Sequence, residues 1–201
     1  MRKNLLWLMA ALLMTACGAC SSDDQAGGSD EEIEADSLVV GDKLPEFEVT
    51  MNDGSVVRTA DLMGQPSVVV LFSVDCMDCR HQLPEIQRLW NLNEADSLIQ
   101  GQRIPIVLIA RKCTEEDIKP FWQFAELTMP YSPQPDRKVY SRFAPRVIPH
   151  IYISDAQTII RYMHADTAMP TAETLTEEIK TLNKDVLEDP ADISYHLTTT
   201  Y

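Results

Sequence analysis

A cysteine pair at the end of an apolar segment constrains the fold of this chain more than any other feature. Residues 67–74 form a continuous apolar run, rich in β-branched side chains and of strand length, as expected for a strand covered on both faces. Cys76 and Cys79 follow, and apolar side chains then recur at helical spacing to about residue 93. The pair is therefore predicted to lie where a central strand leads into the first turn of a helix.

Two cysteines separated by two residues can close a small disulfide ring, and the positive end of a helix favours the thiolate of the first one. Cys76 is therefore the candidate nucleophile and Cys79 the candidate resolving thiol. The implied cycle is attack on a disulfide, formation of a mixed disulfide and its displacement by the second thiol. Half of a zinc site has the same spacing, but once Cys17 and Cys20 are assigned to the lipobox and tether, the domain contains no second pair of this kind. A purely structural disulfide is the weaker alternative, because structural bridges seldom span the first turn of a helix.

The remaining predicted elements complete an α/β pattern. Strands are predicted from alternating or continuous apolar runs at residues 47–51, 56–58, 104–110, 151–154 and 158–162. Helices are predicted at residues 114–127, where Thr114 and Asp117 form an N-terminal cap, at residues 139–143 and at residues 171–184. This order implies an α/β fold with a mixed central sheet, helices on both faces and an N-terminal β-hairpin extension.

The start of the chain predicts a lipoprotein signal peptide. A basic N-terminus precedes an apolar run at residues 5–14 that is too short to span a membrane. Small residues then lead to Cys17, a pattern that resembles the bacterial lipobox, in which the cysteine is acylated and becomes the mature N-terminus. Residues 1–16 are thus predicted to be the signal peptide and Cys17 the lipidation site. A plainly secreted protein cleaved near Ala19 is the alternative.

Composition divides the rest of the chain into a tether, a domain and a tail. Residues 17–37 are rich in Gly, Ser and acidic residues and predict a flexible tether to a domain at 38–184, followed by a C-terminal tail at 185–201. The net charge of -14 argues against nucleic-acid binding, which needs Lys and Arg patches. Acidic residues after a lipidated cysteine also resemble surface-export signals, so both the periplasmic face and the outer-membrane surface stay open.

Several motifs over about residues 41–184 resemble the TlpA/ResA-type branch of thioredoxin-like proteins. The matching pieces are residues 41–47, the Asp53-Gly54 turn, Cys76-Met77-Asp78-Cys79-Arg80 with Pro84, Val147-Ile148-Pro149, and residues 151–155. The resemblance implies a thioredoxin fold and a thiol-disulfide oxidoreductase of the cell envelope that needs no cofactor. It implies protein disulfides as substrates, a membrane electron donor as partner, and membrane attachment through the lipid anchor. Nothing in the sequence demands more than a monomer.

The resemblance also assigns a substrate-binding loop and exposes departures from the family pattern. Pro149 is expected to be cis and to lie against the cysteine pair, where the backbone of Ile148 pairs with the substrate chain. Two carboxylates, Asp75 and Asp78, flank the first cysteine and work against the helix dipole.

Two positions where the family or thioredoxin itself has an acid carry Gln82 and Val70, so proton transfer to and from Cys79 lacks its usual carboxylate. These departures predict a less reactive, reducing thiol pair, or one with a narrow range of partners.

Two other functions stay open. A thiol peroxidase of the AhpC/TSA type is one, because Ser73 precedes Cys76 by the spacing of half the peroxiredoxin motif, although Val69 stands where that motif has Pro. A non-catalytic copper-binding or partner-binding module is the other, in which His81 and His150 would join the two cysteines. The oxidoreductase interpretation includes no metal site. A solvent-facing position on a helix explains His81 equally well, and a position at the start of a strand explains His150.

Four further side chains either keep two interpretations or have a purely structural one. Cys113 follows the second buried strand and is either a third thiol near the active face or a small apolar side chain. Arg80 is either a solvated helix charge or a group that favours the first thiolate. Asp136 and Asp155 are predicted to be turn residues rather than catalytic acids.

Overall fold

A computed structural model describes residues 37–95, 98–99, 101–143, 147–165 and 169–188, with the side chains of residues 184–188 excepted. The strands are β1 (Glu48–Thr50), β2 (Val56–Arg58), β3 (Ser67–Phe72), β4 (Ile106–Ala110), β5 (His150–Ser154) and β6 (Ile160–Ala165). The helices are α1 (Met77–Glu94), α2 (Glu115–Phe124), α3 (Tyr140–Phe143) and α4 (Ala172–Glu188), with a 3-10 helix at Thr59–Leu62. The predicted signal peptide, Cys17 and the tether up to residue 36 lie outside the described residues.

The central sheet has four strands in the order β4-β3-β5-β6. β3 runs parallel to β4 and antiparallel to β5, so that Val70 lies opposite both Leu108 and Ile151. All six residues of β3 are buried, which explains why its sequence is a continuous apolar run rather than an alternating one. The predicted mixed sheet is therefore confirmed, with β3 at its centre.

Three helices cover one face of this sheet, which we call the helix-covered face. Buried side chains of α1, α2 and α4 join those of the central strands in one core, and Cys79 and Leu83 belong to it. Phe72 packs against Trp122 of α2, with ring centroids 5.3 Å apart. The first turn of α1 is thus anchored in the core of the domain rather than on a mobile loop.

The other face, which we call the hairpin-covered face, packs against the β1-β2 hairpin and the short helix α3. The hairpin is the predicted one, with Val49 opposite Val57. Phe143 of α3 lies against Tyr152 of β5, with ring centroids 5.5 Å apart. Because the two cores lie on opposite faces of the sheet, the side chains of β5 alternate between them, and Tyr152 faces the hairpin while Ile151 faces the helices.

Helix α2 begins as predicted and ends earlier. Asp117 Oδ2 accepts a 2.8 Å hydrogen bond from the Thr114 backbone N–H, and the Thr114 hydroxyl accepts one from the Asp117 N–H, which completes a capping box. The helix ends at Phe124 instead of residue 127, because Glu126 adopts a left-handed conformation with φ of 54°.

The terminal helix is longer than predicted. α4 continues to Glu188, past the predicted end at Lys184 and into the segment assigned to the tail. No Gly or Pro stands between Lys184 and Pro190, so no residue of the kind that breaks helices interrupts it earlier. Within the described ranges, no helix is long and apolar enough to cross a membrane.

Candidate active site

The two cysteines lie at the junction between β3 and α1. After β3 ends at Phe72, the chain turns so that the Ser73 carbonyl accepts a 3.2 Å hydrogen bond from the Cys76 N–H. Cys76 is the N-cap of α1, and its sulfur accepts a 3.4 Å hydrogen bond from the Cys79 N–H. A cap atom satisfies one of the free N–H groups at a helix start, and here that atom is the candidate nucleophile.

The two thiols differ in exposure. Cys76 is partly exposed, whereas Cys79 is fully buried against the helix-covered face, and both are free thiols. Burial raises the pKa of the Cys79 thiol far above its usual range, although the backbone of Ser73 opposes this shift. Cys79 is therefore a neutral thiol at neutral pH, and of the two thiols only Cys76 is open to solvent.

The predicted substrate loop lies beside the cysteines. The peptide bond between Ile148 and Pro149 is cis. The Cys76 thiol donates a 3.4 Å hydrogen bond to the Ile148 carbonyl, so the structure brings together all four residues that the sequence placed in the domain's site, with Cys79 one helical turn away. The backbone that would meet a bound chain is therefore next to the accessible sulfur.

Of the four positions that depart from the family pattern, two are exposed to solvent and two are buried. Asp75 and Asp78 are exposed to solvent, so their charges are strongly screened. Gln82 is buried and its side-chain N–H donates a 2.8 Å hydrogen bond to the Pro170 carbonyl, while Val70 is packed in the sheet core. Neither of these last two positions can exchange a proton with the buried Cys79.

Arg80 connects the first turn of α1 to the segments on either side of it. Its Nε donates a hydrogen bond to the Val74 carbonyl, and its guanidinium carbon lies 5.4 Å from the centre of the Phe121 ring in α2. Arg80 thus holds the turn that carries Cys76 against the neighbouring helix.

Cys113 lies closer to the site than its sequence position shows by itself. Its sulfur is fully buried, 3.3 Å from the Ser73 hydroxyl and 3.3 Å from the Arg111 carbonyl. The sequence indicated Ser73 only through its peroxiredoxin-like spacing and did not indicate Arg111, so neither contact of Cys113 was predicted. Because β3 and β4 are parallel, the segments after them meet at one edge of the sheet, and that rule could have predicted the contact.

The two histidines lie in different surroundings, one exposed on a helix and one buried in the sheet. His81 is exposed on α1 and His150 is buried at the start of β5, where its ring stacks on Tyr152 at 4.5 Å. In the part of the chain that the structure describes, no group of three or more His, Cys, Asp or Glu side chains could hold a metal ion.

The two candidate turn aspartates occupy turns as predicted. Asp155 Oδ1 accepts backbone hydrogen bonds from Gln157 and Ile159, at 2.9 and 3.0 Å, and closes the β5-β6 hairpin. Asp136 Oδ1 accepts a 2.9 Å hydrogen bond from the Lys138 N–H.

The model of the AhpC/TSA family matches residues 40–163, which include both cysteines and the Ile148-Pro149 bond. The chain belongs to the AhpC/TSA family. No curated protein matches this family member in a sequence search.

Among solved structures, this AhpC/TSA member is similar to thioredoxin-fold proteins over most of their length. A candidate protein disulfide isomerase from Bacteroides thetaiotaomicron shares 19% identity and a TM-score of 0.62, covering 79% of this chain and 96% of its own. The thioredoxin domain of a thiol-disulfide oxidoreductase from Bacteroides vulgatus shares 19% identity and a TM-score of 0.58, covering 72% and 98%. A secreted Mycobacterium tuberculosis disulfide oxidoreductase homologous to DsbE shares 19% identity and a TM-score of 0.56, covering 68% and 96%.

The likeness confirms the thioredoxin fold predicted for this AhpC/TSA member, including its N-terminal hairpin. Family and fold together confirm the resemblance to thioredoxin-like oxidoreductases of the TlpA/ResA type. The predicted class of enzyme, a thioredoxin-like oxidoreductase, agrees with both.

Proposed function

We propose that this protein reduces disulfide bonds of other proteins in the cell envelope through the Cys76 and Cys79 dithiol. The observation that carries the proposal is the asymmetry of the pair, in which a partly exposed sulfur caps α1 next to the Ile148 carbonyl and a fully buried thiol lies behind it. One thiol is placed to meet a substrate and the other is placed to meet only its neighbour.

In the first step, the Cys76 thiolate attacks one sulfur of a substrate disulfide. A new bond joins Cys76 to that sulfur, the substrate disulfide breaks, and the other substrate sulfur leaves as a thiolate. The helix N-terminus and the Cys79 N–H lie at the attacking sulfur and stabilise its negative charge. An extended substrate chain would add backbone hydrogen bonds at Ile148, next to Pro149.

In the second step, Cys79 loses its proton and attacks the Cys76 sulfur of the mixed disulfide. The Cys76-Cys79 disulfide forms, and the substrate leaves with both of its sulfurs reduced. Because the free Cys79 thiol is neutral and buried, this step depends on deprotonation and is slow at low pH. Two electrons from a membrane partner then restore the dithiol, which completes the cycle.

The direction and the location of the reaction are also parts of the proposal. A strong oxidant needs a strongly stabilised thiolate in its reduced form. Here Cys79 is a buried neutral thiol, and the carboxylates of Asp75 and Asp78 lie beside Cys76, so the thiolate of the reduced pair is stabilised less than that. Lipidation at Cys17, within the sequence pattern of a bacterial lipoprotein, would hold the domain at the membrane near its electron donor.

A reductase assay tests the reaction. The full chain should accelerate the reduction of insulin disulfides by dithiothreitol, and Cys76→Ser should abolish the acceleration. With Cys79→Ser, a mixed disulfide with the substrate should accumulate and be visible on non-reducing gels. Cys113→Ser serves as the matched control, because it removes a thiol outside the proposed pair. Full reductase activity of Cys76→Ser would refute the proposal.

A palmitate-labelling experiment tests the anchor. In a bacterial host, the chain should take up labelled palmitate and sediment with membranes, and Cys17→Ser should lose both properties. Cys20→Ser is the matched control, since Cys20 lies three residues further on and is expected to retain the label. Loss of the label in Cys20→Ser would contradict the assignment of Cys17. So would an unchanged chain that takes up no label and does not sediment with membranes.

A thiol peroxidase is the second candidate, because the family match fits it and Ser73 keeps half of the peroxiredoxin spacing. The Ser73 hydroxyl, however, contacts Cys113 at 3.3 Å and accepts a hydrogen bond from the Asp75 N–H. It is thus engaged by groups other than Cys76. Turnover of hydrogen peroxide by the reduced chain, at rates above those for disulfides, would favour this candidate over the reductase.

A further inference from the structure

Ser73 is the residue through which the surroundings of the two cysteines are connected. Its carbonyl accepts the Cys76 N–H at 3.2 Å, and its hydroxyl accepts the Asp75 N–H at 3.2 Å. The same hydroxyl lies 3.3 Å from the Cys113 sulfur, and the backbone of Ser73 opposes the effect of burial on the Cys79 pKa. One small buried side chain therefore joins the turn before α1 to the chain that leaves β4.

Cys113 is itself held firmly. Its backbone N–H and carbonyl exchange two 2.9 Å hydrogen bonds with Gln134, in the loop that runs along β4. The residue before it, Lys112, adopts a left-handed conformation with φ of 53°, which is costly for a residue with a side chain and turns the chain sharply after β4. The Cys113 sulfur then donates to the Arg111 carbonyl or to the Ser73 hydroxyl, both at 3.3 Å.

The rate of the second proposed step, displacement of the substrate by Cys79, depends on where the Cys79 sulfur lies. Its sulfur must approach the Cys76 sulfur in line with the bond that breaks, and small displacements of reacting atoms are costly in rate. Cys79 is fully buried, so solvent offers it no contacts, and its own neighbours must fix it. The Ser73 backbone acts on the Cys79 thiol, its carbonyl holds the Cys76 N–H at 3.2 Å, and its hydroxyl lies 3.3 Å from the Cys113 sulfur.

We propose that Ser73 is a positioning residue that fixes Cys79 for attack on the mixed disulfide at Cys76, and that Cys113 acts as its hydrogen-bond partner rather than as a third redox thiol. The inference rests on the proposed dithiol function. It gives the odd cysteine of the domain a role that the hydroxyl of a serine could also perform, because either side chain can donate and accept one hydrogen bond.

The two steps can be timed separately with 5,5′-dithiobis(2-nitrobenzoic acid). The probe is mixed with the reduced full chain in which Cys17 and Cys20 are changed to Ser, so that these exposed thiols do not react. Release of the first chromophore reports attack by Cys76, and its rate depends on the probe concentration. Release of the second reports displacement by Cys79, and its rate does not.

Ser73→Ala and Cys113→Ala should each slow the second release by about threefold to tenfold, the range expected for the loss of one hydrogen bond. The first release should stay within about twofold of the parent. Cys113→Ser should restore the second release, and combining Ser73→Ala with Cys113→Ala should cost no more than Ser73→Ala alone, because the contact that Cys113→Ala removes is already absent.

Ser67→Ala is the matched control. Ser67 is also buried on β3 and its hydroxyl bonds that of Ser154 at 2.7 Å, at the end of the strand away from the cysteines. This variant should lower the unfolding midpoint and leave both releases unchanged.

An unchanged second release in folded Ser73→Ala would overturn the inference. A Cys113→Ser variant as slow as Cys113→Ala would also overturn it and would indicate that the Cys113 thiol itself reacts. Absence of any second release in the parent would instead refute the dithiol function on which the inference rests.

Discussion

Two regions at the same edge of the sheet treat their polar groups in opposite ways. After β3, the Ser73 hydroxyl and carbonyl and the Cys76 sulfur all make hydrogen bonds. At the start of β5, both ring nitrogens of His150 and the hydroxyl of Tyr152 are buried, and none of them makes a hydrogen bond of ordinary geometry with the described residues. The side chains of the first region are held by hydrogen bonds, whereas those of the second are held by packing within the paired strands.

Burial has clear electrostatic effects in the second region. It lowers the pKa of His150, against the opposing effect of the Val147 carbonyl, and it raises the pKa of Tyr152. Both rings are therefore neutral at pH 7, and they stack nearly parallel, with an interplanar angle of 11°. The difference between the regions indicates that changes after β3 alter reactivity, whereas changes at the start of β5 alter stability.

The largest expected effect is on activity and comes from a change in the region after β3. Cys79→Ser should reduce multiple-turnover disulfide reduction to the uncatalysed level while the protein still forms a mixed disulfide at Cys76, because the displacing sulfur is missing. The measurement is reductase activity together with the mass of the trapped adduct. If Cys79→Ser still turned over, another thiol would be displacing the substrate, and the region after β3 would not be the complete site.

The next effect is the pH dependence of displacement by Cys79. Because burial raises the pKa of Cys79, only a small thiolate fraction exists at neutral pH, and the rate should rise about tenfold per pH unit. This rise should continue without a plateau up to about pH 9, the ordinary pKa of a cysteine. Stopped-flow release of the second chromophore gives the profile, and a plateau below pH 8 would show that Cys79 is not a buried neutral thiol.

A smaller effect tests the start of β5. His150→Phe removes two unsatisfied nitrogens and keeps a flat ring against Tyr152, so it should raise the free energy of unfolding at pH 7 by about 1 to 2 kcal/mol. Urea denaturation measures this change, and the Cys76 attack rate should stay within about twofold. Destabilisation by this substitution would mean that His150 has a bonding partner, and the contrast between the regions would fail.

The same histidine predicts the direction of acid sensitivity. Its pKa is lower in the folded state, so the unfolded chain takes up more protons below about pH 6.5, the ordinary value for histidine. Above that pH His150 is neutral in both states, and as the pH falls below it, protonation of the unfolded chain lowers the stability of the fold. Denaturation at pH 5.5 and 7.5 should show a larger loss of stability in the parent than in His150→Phe.

The smallest effect concerns the carboxylates beside the first cysteine. Asp75 and Asp78 are exposed, so Asp75→Asn and Asp78→Asn should each accelerate Cys76 attack by about twofold or less at low salt. The acceleration should vanish in about 0.5 M salt, where charges at this distance are screened. A tenfold acceleration that persists in salt would place these carboxylates in direct contact with the sulfur.

The sequence was sufficient for the parts of the fold that follow from periodicity and local chemistry. The apolar run of β3, the capping box at Thr114 and the turn at Asp155 each have a local cause, and each was predicted close to its position. The early end of α2 was not predicted, because the left-handed conformation of Glu126 has no marker in the residue type.

The site divides in the same way. The spacing of Cys76 and Cys79 and the family resemblance of Ile148 and Pro149 indicated these four residues from the sequence alone. The contact between Ser73 and Cys113 depends on the parallel pairing of β3 and β4 and on the turn at Lys112. Such long-range contacts arise from tertiary packing, and no local pattern specifies them.

The most direct test of the central claim is the reduction potential of the Cys76 and Cys79 pair, measured by equilibrating the full chain in graded dithiothreitol buffers. The account predicts a reversible two-electron couple near or below about -250 mV, towards the range of thioredoxin. A potential near about -120 mV, the range of DsbA, would contradict the reducing direction, and the absence of any reversible couple would contradict the oxidoreductase function itself.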